Sequence, residues 1–467
     1  MNLEQIDNVY FVGIGGIGMS ALARYFLSLK KVVAGYDRTE TSLTKELVKE
    51  GMKIHYRDNA NLIPTEFKNS NTLVIYTPAV SSNHSELIFF NSNDFEVKKR
   101  AEVLGIISLS NDVLAIAGTH GKTTTSTMVS HLLKCSDLDC NAFLGGISLN
   151  YNNNLLLSDR SKYVVVEADE YDRSFLQLNP KGAIITSMDA DHLDIYGTFE
   201  EYKKAFLQFS SQIRTDGFLI VKKELELGKF RSDIKVYTYS LDKEADFYAK
   251  NIAIKNGVYH YDVITPNVVY KDIELGFPGL LNVENSIGAI AMATLLHVGE
   301  DDIRKAMRSF KGVQRRFEYH IKNDQLVFID DYGHHPEELR YTIESVRKMF
   351  PHKKLTGIFQ PHLYSRTRDF AVEFASSLSL LDELILLDIY PAREKPIPGV
   401  SSEMIIQKVT APVKHLCLKS DLLSFMNKLS MPEVMITMGA GDIDTFVEPI
   451  KQLLLKRLNE TSPTLLI

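Results

Sequence analysis

The residues best suited to chemistry lie between Gly118 and Thr124, where Gly-Thr-His-Gly-Lys-Thr-Thr follows the apolar run 113–117. A buried strand that ends in such a glycine-flanked loop presents backbone N–H groups at the start of the next helix, where they bind phosphate oxygens. Lys122 adds a positive charge, and the Thr123 hydroxyl suits a magnesium ion. The pattern predicts an ATP site, and an ordinary strand-to-helix turn is the weaker alternative.

A second glycine loop, Gly13-Ile-Gly-Gly-Ile-Gly18, follows the first strand-like segment of the chain. Asp37 lies about 20 residues further on, near the end of the next strand, which is the spacing of dinucleotide sites. The loop predicts a pyrophosphate site in which Asp37 accepts from ribose hydroxyls. NAD fits this pattern, but so does any nucleotide diphosphate, and a purely structural turn is the weaker alternative.

Two acidic segments also follow strand-like runs, Glu167-Ala-Asp-Glu-Tyr-Asp172 and Asp189-Ala-Asp-His-Leu-Asp194. Burying several carboxylates is costly unless a cation or hydrogen-bond donors compensate. We therefore expect Glu167, the first residue past its strand, to bind a metal ion, with His192 as a second ligand. A solvated acidic loop is an acceptable alternative for Asp172, and a lone histidine such as His192 is more often structural.

The last third of the chain carries four further polar segments, three of which directly follow strand-like runs. These segments are Arg315-Arg-Phe-Glu318, Asp330-Asp-Tyr-Gly-His-His335, Gln360-Pro-His-Leu-Tyr-Ser-Arg-Thr-Arg368 and Gly439-Ala-Gly-Asp442. We expect them to face a cleft. Arg366 and Arg368 suit capture of a carboxylate or phosphate, although surface arginines without a role are common. Of the adjacent His334 and His335, one should pack while the other reaches the cleft.

The chain has 467 residues, more than one hydrophobic core usually organises, and strand-like runs alternate with helix-length segments. This predicts an α/β protein of three domains: a Rossmann-like domain over 1–107, a P-loop ATPase-like domain with a mostly parallel sheet over 108–312, and a Rossmann-like domain over 313–467. The candidate strands are Val9–Val12, Val32–Tyr36, Leu73–Tyr76, Val113–Ala117, Tyr163–Val166, Ala183–Thr186, Leu326–Ile329, Leu355–Phe359, Leu384–Leu387 and Val434–Thr437. Helices are expected over 124–134 and within 282–310.

Composition narrows the class of protein. A net charge of -6 argues against broad nucleic-acid binding, and we interpret Lys98-Lys-Arg100 as solvated surface. The 3 cysteines form neither a Cys-x-x-Cys pair nor an even set, which predicts reduced thiols. No apolar run approaches the roughly 18 residues that span a bilayer, so we expect no membrane insertion and a cytoplasmic location.

Taken in order, six of these motifs resemble those of the Mur ligases, and the resemblance covers nearly the whole chain. They are Gly13–Ser20, Gly118–Thr124, Glu167–Glu170, Asp191–Asp194, Arg315–Glu318 and Asp330–Pro336. The resemblance is greatest to the alanine-adding branch of the family. It implies that the first domain binds UDP rather than NAD, the second binds ATP and Mg²⁺, and the third closes over both and admits the amino acid.

The activity implied is an ATP-dependent ligase that joins L-alanine to UDP-N-acetylmuramate through an acyl phosphate, in peptidoglycan precursor synthesis and hence in cell-wall biogenesis, cell shape and cell division. Three alternatives remain. A recycling ligase would add a preformed peptide to the same sugar nucleotide, an NAD-dependent oxidoreductase would explain only the first glycine loop, and a nucleotide-gated binding protein would hydrolyse ATP without forming a bond. The oligomeric state is expected to be a monomer or a homodimer.

The resemblance also implies roles for individual residues, with Lys122, Glu167 and His192 as the catalytic set. Thr123 and Glu167 would hold one magnesium ion and His192 would help hold another. The expected ATP contacts are Gly118, Thr119, His120, Gly121, Lys122, Thr123, Thr124, Asn282, Asn285, Arg316 and Asp331. The expected substrate contacts are Gly13, Gly15, Gly16, Gly18, Met19, Ser20, Asp37, Tyr332, His334, His362 and Arg366. Departures from the family pattern are Leu281, Leu363 and the lysine-free stretch Ala205–Leu207.

Overall fold

The computed structural model describes residues 3–189, 193–255, 257–392 and 394–461. The chain divides into two compact units. The first unit comprises Met1–Ile252, His260–Gly276 and Glu284–Lys311, and the second comprises Ala253–Tyr259, Phe277–Val283 and Gly312–Ile467. Within the first unit the strands form two separate sheets, and the three-domain boundaries expected from the sequence stay a prediction.

The N-terminal sheet is parallel and has five strands in the order β3-β2-β1-β4-β5. Its strands are β1 (Asn8–Val12), β2 (Val32–Tyr36), β3 (Lys53–His55), β4 (Thr72–Tyr76) and β5 (Glu96–Lys99), and its helices are α1 (Ile17–Ser28), α2 (Ser42–Lys49), α3 (Ser85–Ser92) and α4 (Arg100–Leu109). The central strand β1 is buried along its whole length. Such complete burial explains why residues 9–12 of β1 form a continuous apolar run rather than an alternating pattern.

The second sheet of the first unit has ten strands in the order β15-β14-β13-β12-β11-β10-β6-β9-β7-β8. Its strands are β6 (Asp112–Ala117), β7 (Asn141–Ser148), β8 (Asn153–Leu156), β9 (Tyr163–Glu167), β10 (Gly182–Ile185), β11 (Phe218–Lys222), β12 (Lys235–Ser240), β13 (Phe247–Lys255), β14 (Val258–Ile264) and β15 (Val269–Leu275). The associated helices are α5 (Lys122–Lys134), α6 (Leu193–Tyr196), α7 (Phe199–Ser211), α8 (Leu280–Leu295) and α9 (Glu300–Ser309). The fully buried β6 pairs in parallel with β9 and β10, so the ends of these three strands meet at one edge.

Two details of this sheet differ from the expectation. Glu167 is the last residue of β9 rather than the first residue beyond it. Strands β7, β8 and β11 to β15 were not predicted, and β11 to β15 follow one another instead of alternating with helices. Strand β14 alternates buried and half-buried residues along its length, which is the pattern of a strand with one covered face, and it contains no continuous apolar run that would mark it in the sequence.

A polar network fixes α1 against the ten-stranded sheet. Arg24, which is 8% exposed, donates through Nη1 to Asn154 Oδ1 at 2.6 Å and pairs with Glu50 at 2.7 Å. The Asn154 amide donates in turn to Ile17 O at 2.6 Å and to Ser20 Oγ at 2.9 Å. Because α1 begins at the glycine loop, this network fixes the loop relative to the second sheet of the same unit.

The second unit is built on a six-stranded sheet in the order β16-β17-β21-β18-β19-β20, in which β16 is antiparallel and the other neighbours are parallel. Its strands are β16 (Glu318–Lys322), β17 (Val327–Asp331), β18 (Leu355–Phe359), β19 (Glu383–Leu387), β20 (Val413–Cys417) and β21 (Val434–Met438), and its helices are α10 (Pro336–Met349), α11 (Tyr364–Asp369), α12 (Ala371–Leu378), α13 (Glu403–Ile406), α14 (Leu422–Met426) and α15 (Asp444–Thr461). The neighbours β17, β21 and β18 bring the loops that follow them to one edge. In the described part of the chain, no helix is long and apolar enough to cross a membrane. The three cysteines are free thiols.

Candidate active site

The predicted ATP loop joins β6 to α5 and wraps closely around its neighbours. Gly118 and Gly121 have φ of 135° and 81°, a left-handed region that favours glycine. A Cβ on Gly118 would lie 2.2 Å from Thr186 Oγ1, and one on Gly121 would lie 2.7 Å from Asn285 Oδ1. Both glycines are therefore required by the backbone and by the packing, and Asn285, an expected ATP contact, lies beside the loop.

The tip of the loop is hydrogen-bonded to the segment that follows β10. The Thr119 hydroxyl donates to Asp189 O at 3.0 Å, accepts from Asp189 N at 2.9 Å and lies 2.9 Å from the Tyr202 hydroxyl. The His120 backbone N–H donates to Ser187 Oγ at 2.7 Å. These bonds connect the loop to that segment just before α5, where Lys122 is the first helical residue. His192, the metal ligand predicted in the acidic segment 189–194, lies outside the described residues.

Lys122 is surrounded by acids. Its ammonium donates to Glu170 Oε1 at 2.9 Å and to Gly118 O at 2.6 Å. Burial by itself lowers the pKa of Lys122, but the carboxylates of Glu170, Asp169 and Glu167 outweigh that effect and hold the pKa above its ordinary value. Lys122, whose side chain is 14% exposed, is thus a charged and largely covered group at the mouth of the loop.

Glu167 occupies a space that only a glycine neighbour leaves open. A Cβ on Gly145 of β7 would lie 2.1 Å from Glu167 Oε2, so the carboxylate lies directly against this glycine. With the hydroxyl of Thr123, which is 9% exposed, it offers the hard oxygen ligands that magnesium prefers. Their binding of magnesium stays a prediction, and no group of three histidine, cysteine or acid side chains that could hold a metal ion is found among the described residues.

The N-terminal glycine loop leads into α1 and is held by Asp37. The Gly15 backbone N–H donates to Asp37 Oδ2 at 2.7 Å, and the Thr39 N–H donates to Oδ1 at 3.3 Å. Asp37 therefore stabilises the glycine loop through its hydrogen bond to Gly15. Met19 and Ser20 are buried on α1, and Ser20 donates to Ile17 O at 2.8 Å.

The interpretation of Lys98-Lys-Arg100 as solvated surface is wrong for Arg100. The Arg100 side chain is 23% exposed and its guanidinium donates to Asp169 at 3.1 Å, and Lys99 pairs with Asp172 at 2.9 Å. A Cβ on Gly18 would lie 2.0 Å from Arg100 Nη1, so the guanidinium lies between the glycine loop and the acidic segment. The position of Arg100 could have indicated a role at the site. It is the first residue of α4 after a parallel strand, at the edge of the sheet where both loops lie.

In the second unit, residues that precede β16 and residues that follow β17 and β18 form an aromatic and cationic group. The guanidinium carbons of Arg315 and Arg316 lie 5.2 and 5.0 Å from the centre of the Tyr332 ring. The His334 ring lies 5.3 Å from the Tyr332 ring and 5.9 Å from that of His362. Burial lowers the pKa of His334 to about 4, so its imidazole is neutral at physiological pH.

The neighbours of this group follow the expectation in part. His335 packs 5.2 Å from the Phe370 ring, while His334 faces the group. Arg368 is half exposed and pairs with Asp369 at 2.7 Å. The nearby Arg366 guanidinium is one of the charges that depress the His334 pKa, which puts Arg366 close to the group.

Two of the expected ATP contacts in the second unit are held by local bonds. Asp331 accepts from the backbone N–H groups of Phe317 at 2.8 Å and Gly333 at 2.7 Å, and burial raises its pKa to about 6. The Asn282 side chain donates to Pro278 O at 2.5 Å. These hydrogen bonds fix the side-chain conformations of Asp331 and Asn282, and the contact of either residue with nucleotide stays a prediction.

Comparison with known proteins extends over the whole chain. Residues 8–111 match the Mur ligase family catalytic domain, residues 116–293 the Mur ligase middle domain, and residues 315–441 the Mur ligase glutamate ligase domain. The chain is 55% identical to a UDP-N-acetylmuramate–L-alanine ligase of Parabacteroides distasonis, covering 98% of this chain and 100% of the relative. It is 49% identical to the enzyme of that name from Flavobacterium johnsoniae, covering 97% and 99%. A crystal structure of UDP-N-acetylmuramate-alanine ligase from Thermotoga maritima superposes with a TM-score of 0.81 at 28% identity, covering 97% of this chain and 100% of that one.

Proposed function

The chain belongs to the Mur ligase family, and we propose that it forms the amide between L-alanine and the lactyl carboxylate of UDP-N-acetylmuramate, with hydrolysis of ATP to ADP and phosphate. The observation that carries this proposal is the presence of two phosphate-type loops, 13–18 and 118–124, in one compact unit. Two such loops call for two phosphorylated substrates. An NAD-dependent oxidoreductase would leave the second loop and its acids without a purpose.

The proposed reaction makes the carboxylate reactive by phosphorylation. A lactyl carboxylate oxygen attacks the γ-phosphorus of ATP, ADP leaves, and an acyl phosphate remains. The alanine ammonium loses one proton, its nitrogen attacks the acyl carbon, phosphate leaves, and the nitrogen loses a second proton to give the amide. Lys122 stabilises the negative charge of the transferring phosphoryl group, which is mainly a task of positioning and electrostatics. Thr123 and Glu167 would hold a magnesium ion, whose charge offsets that of the phosphate oxygens.

We assign the amino acid to the group formed by Tyr332, His334, His362 and Arg366. The Arg366 guanidinium suits the alanine carboxylate, because its N–H groups match both carboxylate oxygens. The neutral imidazole of His334 tolerates an approaching ammonium, which an imidazolium would repel. Discrimination among small amino acids would then rest on the volume of this group, where one methylene is worth only about 1 to 3 kcal/mol.

The proposed compartment is the cytoplasm, which agrees with three free thiols in the chain. Magnesium as the metal, His192 as a ligand and the monomeric or homodimeric state belong to the proposal as well. Each is an expectation from the family resemblance rather than from a contact in the structure.

The experiment that tests the function measures phosphate release from ATP in the presence of magnesium and UDP-N-acetylmuramate, with the product identified by mass. Three conditions are compared: no further addition, L-alanine, and a tripeptide containing L-alanyl-D-glutamate. Release that requires L-alanine, with the matching amide, supports the proposal. Release only with the tripeptide would indicate a recycling ligase, and release without either addition would indicate a hydrolase or a nucleotide-gated binding protein.

A further inference from the structure

The ammonium of Lys122 lies near at least as many acceptor atoms as it has protons to donate. Gly118 O lies at 2.6 Å, Thr119 O at 3.2 Å and Glu170 Oε1 at 2.9 Å. Glu170 Oε2 also lies 2.9 Å from Nζ, so both carboxylate oxygens face the ammonium. A lysine has three N–H donors, and a phosphate oxygen can gain one only if an existing acceptor gives it up.

The carboxylate of Glu170 is aimed at this position by the chain around it. Glu170 is 1% exposed, and its carbonyl accepts from the Tyr196 hydroxyl at 2.6 Å and from Arg173 N at 3.0 Å. The next turn passes through Asp172 and Arg173, both at positive φ, 52° and 55°. Such strained backbone persists only where its surroundings hold it, so the orientation of Glu170 is built into the segment.

We propose that Glu170 is a positioning residue that competes with nucleotide phosphate for the Lys122 ammonium. The two loop carbonyls keep Nζ above the loop, and binding of ATP exchanges the Glu170 carboxylate for a phosphate oxygen. In its ionised form the carboxylate also repels that phosphate, because the two groups then carry the same sign of charge. This inference rests on the proposed ATP-dependent function and concerns the affinity for nucleotide, not the identity of the amino acid.

The test is the substitution Glu170→Gln, which nearly conserves the shape and removes the charge. The dissociation constant for ATP should fall about tenfold, the size of effect that one nearby like charge has on an ionisation equilibrium. The change should be the same with and without magnesium, because the competition is for the lysine. Titration calorimetry on the full chain measures both, and an unchanged or raised dissociation constant would overturn the proposal.

Two further variants keep the result interpretable. Glu201→Gln removes an exposed carboxylate that pairs with Lys204 on α7 and should leave ATP affinity unchanged. Glu170→Asp keeps the charge but withdraws it by one methylene, so its dissociation constant should lie between those of the parent and the glutamine variant. Equal constants for the two Glu170 variants would refute a role of charge.

The metal provides the sharpest contrast. If Glu170→Gln weakens binding, and does so only when magnesium is present, the carboxylate serves the metal and the proposal is wrong. Because ATP titrations need neither amino acid nor sugar nucleotide, this result is independent of the alanine-dependent assay. Unaltered binding of UDP-N-acetylmuramate by the variant would show that the unit is still folded.

Discussion

Replacing Gly145 with alanine should disable the enzyme by moving the carboxylate of Glu167. Gly145 does not have a positive φ, so the backbone accepts alanine without strain. The added Cβ would lie 2.1 Å from Glu167 Oε2, 2.5 Å from Cδ and 2.7 Å from Oε1. All three atoms belong to the carboxylate, and the substitution therefore acts on this group in particular.

The required displacement follows from these distances. Ordinary contact begins at 3.4 Å, so Oε2 must withdraw by about 1.3 Å, the difference between 3.4 and 2.1 Å. A misplacement of about 1 Å in a catalytic site lowers the rate by roughly 100-fold. We therefore expect kcat to fall by about two orders of magnitude, with a raised requirement for magnesium.

The assay is L-alanine-dependent phosphate release at saturating substrates, repeated over a range of magnesium concentrations. Gly299→Ala is the matched control, because its Cβ would lie 4.0 Å from the nearest side-chain atom, Asp302 Oδ2, and should leave kcat unchanged. Glu167→Gln supplies a second background. If Gly145→Ala acts through Glu167, it should lower kcat little further in that background, since both substitutions act on the side chain at position 167.

A kcat within threefold of the parent and an unchanged magnesium dependence would refute this reasoning and remove Glu167 from the proposed metal site. Equal losses in the parent and in the Glu167→Gln background would also refute it, because the effect would then reach the site by another route. A thermal midpoint matching that of the parent is needed to separate either outcome from loss of the fold.

Three other substitutions have definite expected outcomes. Lys122→Ala should abolish phosphate release but preserve the affinity for UDP-N-acetylmuramate, measured by calorimetry, and loss of that affinity would contradict the assignment of the two loops to different substrates. Burial lowers the pKa of His131 from 6.5 to about 4. Between those pH values His131 is protonated in the unfolded chain and neutral in the folded chain. The free energy of unfolding should therefore be largest above pH 6.5 and fall by about 3 kcal/mol as pH drops through 4. Denaturant unfolding should show a flatter pH dependence in His131→Gln, and parallel slopes would argue against this histidine as the source. Gly18→Ala would place a Cβ 2.0 Å from Arg100 Nη1. It should weaken UDP-N-acetylmuramate binding by about tenfold, as expected for one lost charge-assisted hydrogen bond. An unchanged dissociation constant would mean that the guanidinium moves aside freely.

Features that depend on near neighbours in the chain were determined by the sequence alone. The two glycine loops and the buried strands that precede them were predicted, because each rests on residue types within a few positions. The helix after the second loop was predicted as well, although it begins at Lys122 rather than at residue 124. The meeting of Glu167 with Lys122 was also predictable. Residues at the carboxyl ends of neighbouring parallel strands lie at one edge of a sheet, so proximity follows from topology without side-chain detail.

The tertiary structure decided which remote side chains pair. Arg100 and Asp169 are 69 residues apart in the chain, and Lys99 and Asp172 are 73 apart. A run of basic residues looks like solvated surface until the partner segment is known. Which acid takes the Lys122 ammonium likewise depended on the turn that follows β9, and the need for glycine at position 145 depended on β7 lying beside β9. Local preferences set the elements and their buried faces, whereas these pairings are set by strand order and register, which only the packed sheet defines.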